Sequence, residues 1–423
     1  MSNYCSQPIQ GVAPKDYFSI IDPTRQVWFT GSIAANNYLM IRGMPMSTES
    51  QTFTEKHDLL GCIQCGRCTG GCPVTVRANL NVRRFVYDAY YEEKLDELAR
   101  QAEIWDCTAC HTCAVRCPKG LKPLEVLLGL RAMIIESGKV EPTVRDALQS
   151  VLLEGNPWEK SRAARSDWME GLDVKIAEPG VPVENLFFVC CTIAYDPRVQ
   201  AIAKNIVRLL NKTGVDYAFL DDSETCCGSE VFTLGEEGLF EMLVEDNTEY
   251  FNEYSAKRIV TLSPHCFTTY NAHYPDLNKP VIHYTQLLDE LLKEGKLVWK
   301  GDLQKKIVFH DPCYLGKQGG VYDEPRDLLK SIPGAELLEF ERRRERSLCC
   351  EGGGGKMWVE SESKKERLAE TRIKDAKALG ADIVAVACPF CVLTLEDALK
   401  GLGYEEEMRV AEIMELLGEF IEA

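Results

Sequence analysis

No apolar run in this 423-residue chain reaches the roughly 18 residues a membrane helix requires, and the longest, such as Leu186-Phe187-Phe188-Val189-Cys190-Cys191, are strand-sized. Direct membrane insertion is therefore not expected. The start, Met1-Ser2-Asn3-Tyr4-Cys5, lacks the basic residues and apolar block of a secretion signal, so a cytoplasmic location is expected, with any membrane association coming through a partner. There is no excess of positive charge either. Lys and Arg number 48 against 65 Asp and Glu, and the net charge of −17 argues against nucleic acid, whose binding rests on neutralising phosphates. A hydrophobic content of 45% with 27% charged residues is that of a globular chain, and its length suggests about two to four domains.

Cysteine is what the sequence has in abundance: nineteen, mostly in tight groups. Without a secretion signal, such groups read as metal ligands or redox centres before disulfides. The most unusual stretch is Ser347-Leu348-Cys349-Cys350-Glu351-Gly352-Gly353-Gly354-Gly355-Lys356-Met357-Trp358, with Cys313 upstream and Cys388 and Cys391 downstream. Adjacent thiols point in different directions, which suits a multi-iron cluster better than a small disulfide, and the glycines allow close backbone approach.

Residues 1–58, with Trp28, Phe29, Tyr38 and Met40 but no period, read as an N-terminal arm carrying the isolated Cys5. In residues 59–137 the pattern C-x2-C-x2-C-x3-C-P occurs twice, as Cys62, Cys65, Cys68 and Cys72 before Pro73, and as Cys107, Cys110, Cys113 and Cys117 before Pro118. This is the spacing of a two-cluster ferredoxin, in which the fourth cysteine of each run serves the other cluster. Cys62, Cys65, Cys68 and Cys117 are accordingly assigned to one 4Fe-4S cubane, and Cys107, Cys110, Cys113 and Cys72 to the other. Structural zinc would use two separated pairs instead. Val82, Phe85, Val86, Ala89 and Tyr90 form a helical stripe between the runs, and a second helix is expected after Pro123 through Leu127, Leu130 and Ile134. This module is similar to that of succinate dehydrogenase iron-sulfur subunits. His111 is read as a bystander.

Residues 138–184, with Pro142, Pro157 and Pro179, read as a linker. Beyond it the chain repeats itself. Cys190-Cys191, Cys226-Cys227-Gly228 and Ser263-Pro264-His265-Cys266 are answered by Cys313, Cys349-Cys350-Glu351 and Cys388-Pro389-Phe390-Cys391. Tyr195-Asp196-Pro197-Arg198 is echoed by Tyr322-Asp323-Glu324-Pro325-Arg326. Both copies, 185–300 and 301–423, alternate strand and helix. Strands are expected at 186–189, 217–220 and 259–262 and at 306–309, 336–340 and 383–387, and helices at 199–210, 238–254, 325–330 and 363–379. The fold class is therefore α/β plus α: a helical two-cluster module followed by duplicated α/β domains with mainly parallel sheets, and cysteines at the strand ends.

The pattern of one cysteine, then CCG, then CxxC, twice behind a two-cluster module, resembles the cysteine-rich CCG family. The layout is similar to the D subunit of heterodisulfide reductase, or its B and C subunits fused, and to the DsrK-type subunit, the glycolate oxidase iron-sulfur subunit and the D subunit of the benzoyl-CoA reductase complex. The resemblance implies that Cys313, Cys349, Cys350, Cys388 and Cys391 hold a noncubane 4Fe-4S cluster, which in heterodisulfide reductases splits a disulfide. Glu351 stands at the family's glycine, as a proton donor, an occupant of the substrate position or a solvated side chain. In the first copy Ser263 replaces the first cysteine of CxxC, leaving Cys226, Cys227, Cys266 and either Cys190 or Cys191. The family pattern favours Cys191. A 4Fe-4S cluster, a zinc ion or no metal would fit that set, and His265 offers a nitrogen.

Gly355-Lys356-Met357 lacks the hydroxyl residue of a phosphate loop. Arg342, Arg343, Arg344 and Arg346 read as a solvated face or an anion-steering patch, and His310-Asp311 as a proton relay or a structural hydrogen bond. Two functions survive. One is an electron-transfer subunit of a larger complex, partnered by a flavoprotein, a ferredoxin-like protein or a membrane cytochrome. The other is a disulfide reductase with Glu351 and His310 as candidate catalytic groups.

Overall fold

The computed structural model describes residues 48–91, 94–360 and 365–420. Most of the expected N-terminal arm, including Cys5 and Trp28, lies outside the described residues, and its last part, Thr48–Lys56, is a helix.

Every described element before residue 183 is helical. Between the cysteine runs Val82–Tyr91 forms a helix that buries the predicted stripe of Val82, Phe85, Val86, Ala89 and Tyr90. It packs on Pro123–Glu136, which starts at proline because the first turn of a helix needs no N–H from that residue. Residues 138–184 are packed structure rather than a loose connection. They hold a second proline-started helix, Pro142–Glu154, ended by Gly155 at φ 68°, and Trp168, which is 1% exposed and meets Phe219 edge-on.

From Val183 the chain builds two parallel sheets. The first contains β1 (Val183–Phe188), β2 (Tyr217–Phe219), β3 (Ala256–Thr261) and β4 (Val281–His283), in the order β2-β1-β3-β4. The second contains β5 (Lys305–Phe309), β6 (Ala335–Leu338), β7 (Ile383–Val386) and β8 (Arg409–Glu412), in the order β6-β5-β7-β8. All pairs are parallel, so each return crosses a face and helices cover the sheet. The helix expected at 363–379 begins instead at Leu368, where the Glu370 carboxylate accepts the Arg367 N–H at 3.2 Å and fixes the first turn.

In each sheet the strand order reverses beside the first strand, between β1 and β3 and between β5 and β7. The crevice at the carboxyl ends of such a pair is where α/β folds collect ligands. Cys190 and Cys191 follow β1, and Ser263 and Cys266 follow β3; Cys313 follows β5, and Cys388 and Cys391 follow β7. The helix after β3, Pro264–His273, packs on the π-helical turn Tyr314–Gln318 that follows Cys313, and the helix after β7, Pro389–Leu402, packs on Cys191–Tyr195. The two repeats thus exchange contacts reciprocally and share one apolar core.

Candidate metal centres

The two loops of the helical module have the same unusual backbone. Gln64 and Gly66 in the first, and Ala109 and His111 in the second, all have positive φ, at 54°, 76°, 50° and 62°. For a non-glycine residue that conformation costs roughly 1–2 kcal/mol, so its recurrence at matching positions marks a shape the loop is built to hold. One cavity is lined by Cys62, Cys65, Cys68 and Cys117 and closed by Leu59, Leu121 and Val126. Cys72 lies instead beside Cys107, Cys110 and Cys113. The cavity thus collects the four thiols assigned to one cubane, while Cys72 lies towards the second run. Burial pushes the Cys72 thiol up to about 11 and Cys107 to about 12. A bound iron would deprotonate such thiols outright.

In the second repeat Cys313, Cys349, Cys350, Cys388 and Cys391 are between 1% and 7% exposed. The Sγ atoms of Cys350 and Cys391 are 3.2 Å apart, Cys313 contacts Cys349, and Cys388 contacts Cys391. His310, also buried, lies with Cys350 and Cys391 so that the three donor atoms fall within 4.8 Å of one another. Its Nδ1 accepts from Arg372 Nε at 3.1 Å, and burial together with the Arg372 charge keeps the ring neutral. Glu351 is not solvated. It is 7% exposed and ion-paired with Arg77 of the helical module, and its other carboxylate oxygen accepts the Leu368 N–H at 2.9 Å. Glu351 takes φ 68° where Gly228 of the first repeat takes 80°, so the third CCG position is left-handed in both copies and a glutamate here is held by its partners against strain.

The second repeat meets the helical module at its own cysteines. The Cys110 thiol contacts the Cys349 thiol, and Cys349 Sγ lies 3.4 Å from Thr108 Oγ1. Contact with Cys349 and burial together raise the Cys110 pKa well above its usual value. The glycine run is the seam: a Cβ on Gly354 would stand 2.6 Å from the Thr108 carbonyl carbon and 2.8 Å from the Ala109 nitrogen. Arg131, fully buried, ties three regions together by donating to the carbonyls of Ile104 (3.0 Å), Cys107 (2.8 Å), Thr233 (2.6 Å) and Gly354 (2.9 Å). Lys317 Nζ adds bonds to Thr112 Oγ1 at 2.9 Å and the Ser347 carbonyl at 2.7 Å.

In the first repeat Cys191, Cys226, Cys227 and Cys266 gather in the matching crevice, and Cys190 joins them. Arg165 Nη1 donates to Cys191 Sγ at 3.4 Å and pairs with the buried Glu224. His265 Nδ1 lies 3.3 Å from Glu230 Oε1, and its ring sits between Tyr314 and Phe390, with centroids at 3.9 and 4.7 Å. Burial lowers its pKa, but Glu230 and Cys388 outweigh that and push it up to about 9.

Arg77, Arg131, Arg165 and Lys317 escaped the sequence reading. Only Arg131 left a signal, as a single charge inside the apolar helical run Leu127-Leu128-Gly129-Leu130-Arg131-Ala132. The Gly355 N–H donates to the Glu230 carboxylate at 2.8 Å, which is no place for a phosphate. The arginine patch is a solvated face, with Arg342 paired to Asp375 and Arg344 to Asp323.

Two strained cysteine loops joined to two cysteine crevices define an iron-sulfur protein. The model of the 4Fe-4S dicluster domain matches residues 58–121, and that of the cysteine-rich CCG domain matches residues 185–271 and 307–396. The chain thus carries a 4Fe-4S dicluster domain and two cysteine-rich CCG domains, the domains of iron-sulfur cluster proteins. It is 32% identical to the probable iron-sulfur-binding oxidoreductase FadF of Bacillus subtilis, over 86% of this chain and 60% of that protein. It is 30% identical to the EtfAB:quinone oxidoreductase of Syntrophomonas wolfei, over 86% of this chain and 58% of that protein. It thus spans less than two thirds of these two relatives. Against the D subunit of the dihydromethanophenazine:CoB--CoM heterodisulfide reductase of Methanosarcina barkeri it is 29% identical over 88% of this chain and 97% of that one. Among the described residues no helix is long and apolar enough to cross a membrane.

Proposed function

We propose that this chain is an electron-transfer subunit of a larger redox complex, relaying electrons between the helical module and the second CCG repeat. When bound, the clusters supply one-electron chemistry. In this reading Cys62, Cys65, Cys68 and Cys117 hold one cubane and Cys72, Cys107, Cys110 and Cys113 the other, and the five thiols of the second repeat hold a noncubane cluster. The observation that carries it is the approach of Cys349 to the second cysteine loop of the helical module, where its Sγ lies 3.4 Å from Thr108 Oγ1 and the thiol neighbours Cys110. Arg131 and Lys317 hold that contact, and Gly354 lets the backbones close on it. Thiols that are 1–7% exposed favour a relay over a site open to substrate. A flavoprotein, a ferredoxin-like protein or a membrane cytochrome would serve as partner.

A second reading, a disulfide reductase, is favoured by the complete five-thiol set with neutral His310 beside it. Glu351 fits an acid role poorly, since both carboxylate oxygens are engaged. Anaerobic protein oxidised in the presence of candidate disulfides separates the two by paramagnetic resonance. The relay predicts that the second-repeat signal is indifferent to every disulfide, and a disulfide-dependent signal contradicts it.

A further inference from the structure

The first repeat looks one thiol short, because Ser263 stands where the second repeat has Cys388. The sheet register accounts for the difference. Phe188 of β1 pairs with Thr261 of β3, so two residues further on Cys190 stands beside Ser263 at the strand ends. Phe309 of β5 pairs with Ala385 of β7, so three residues further on Pro312 stands beside Cys388. Each repeat therefore has one cysteine at this pair of neighbouring positions, on the β1 side in one copy and on the β7 side in the other.

The contacts agree thiol by thiol. In the second repeat they run Cys313 to Cys349, Cys349 to Cys350, Cys350 to Cys391 and Cys391 to Cys388. In the first they run Cys191 to Cys226, Cys226 to Cys227, Cys227 to Cys266 and Cys266 to Cys190. Cys190 also contacts Ser263 itself. Ser263 has become a helix cap, since its hydroxyl accepts the His265 N–H at 3.3 Å at the start of Pro264–His273. All five first-repeat thiols are buried, between 2% and 8% exposed, and Arg165 supplies a positive donor to Cys191.

We propose that Cys190 replaces the cysteine missing at position 263, so that the first repeat is a complete five-thiolate site and holds an iron-sulfur cluster of the same kind as the second. The inference rests on reading the chain as an iron-sulfur relay. A fifth thiol is one more than tetrahedral zinc takes, so the set favours iron.

The test is iron and sulfide analysis, with Mössbauer and paramagnetic resonance spectra, of the full chain purified anaerobically. Wild type should carry iron for four clusters, roughly sixteen atoms, and Cys190→Ala should lose roughly four of them with one spectral component. The double variant Cys190→Gly with Ser263→Cys, which returns the thiol to the β3 side, should regain both. The proposal is overturned if Cys190→Ala keeps all its iron, or if the double variant stays iron-deficient while its ferredoxin spectra are intact. Wild type with iron for only three clusters, or with zinc in place of the fourth, overturns the cluster assignment itself before any variant is made.

Discussion

The two CCG repeats share strand order and crevice, yet among the described residues only the second presses a cysteine against the helical module. Cys349 touches Cys110, whereas its counterpart Cys226 is anchored through its N–H to the Gly155 carbonyl at 2.8 Å, beside the buried Arg165–Glu224 pair. The third CCG position shows the same division: Gly228 takes its left-handed turn freely, while Glu351 takes it under the grip of Arg77 from the helical module. Duplication produced the two sites, and docking of the helical module gave them different neighbours. Their roles follow from those neighbours.

That difference can be broken at the seam. The largest effect is expected from Arg131→Met, which takes the Arg131 donor from four buried carbonyls, of which Ile104 keeps the Cys107 N–H, and should lower stability by on the order of 4 kcal/mol, read as a shift in the urea midpoint. Next is Gly354→Ala, whose new methyl has no room against the Thr108 backbone. A loss of about 1–3 kcal/mol is expected, together with slower reduction of the second repeat after rapid mixing with a reduced donor.

Replacing Glu351 with glycine makes the two copies alike. The change relieves roughly 1–2 kcal/mol of backbone strain but takes a buried carboxylate away from Arg77, a loss of roughly 3–5 kcal/mol, so Glu351→Gly should be destabilised by about 2 kcal/mol net. A double-mutant cycle with Arg77→Leu, followed by thermal unfolding, should isolate a stabilising Glu351–Arg77 coupling. A glycine at 351 therefore changes the seam as well as the cluster surroundings, and its effect on activity alone would not identify a catalytic carboxylate.

The smallest effect contrasts the ends of the fourth strands. Burial lowers His283, at the end of β4, to about 3 and raises Glu412, at the end of β8, to about 8. Both are neutral in the fold, with opposite consequences. The His283 contribution is present above its ordinary 6.5 and is lost as pH falls towards 3; that of Glu412 is present below its ordinary 4.5 and is lost as pH rises through 8. Glu412→Gln should flatten the alkaline side of the stability profile and leave the acid side unchanged.

Much of this architecture was legible in the sequence, because cysteine spacing and a duplicated order of motifs are local signals. The helical module and both parallel sheets follow from them. The seam was not legible, since Arg131 reaches carbonyls up to 223 residues away and the glycines answer to a loop in another module. The role of Cys190 needed the β1–β3 register, which no spacing along the chain encodes. Glu351 was an anomaly against a glycine until Arg77 came to lie beside it.

The central claim is that the module containing Cys110 hands electrons directly to the second repeat. Paramagnetic resonance of the full chain, poised at potentials where both centres are paramagnetic, tests it most directly. The contact of Cys110 with Cys349 predicts split or relaxation-broadened signals that simplify in Gly354→Ala. Independent, uncoupled spectra from the two centres in the wild-type chain would contradict it.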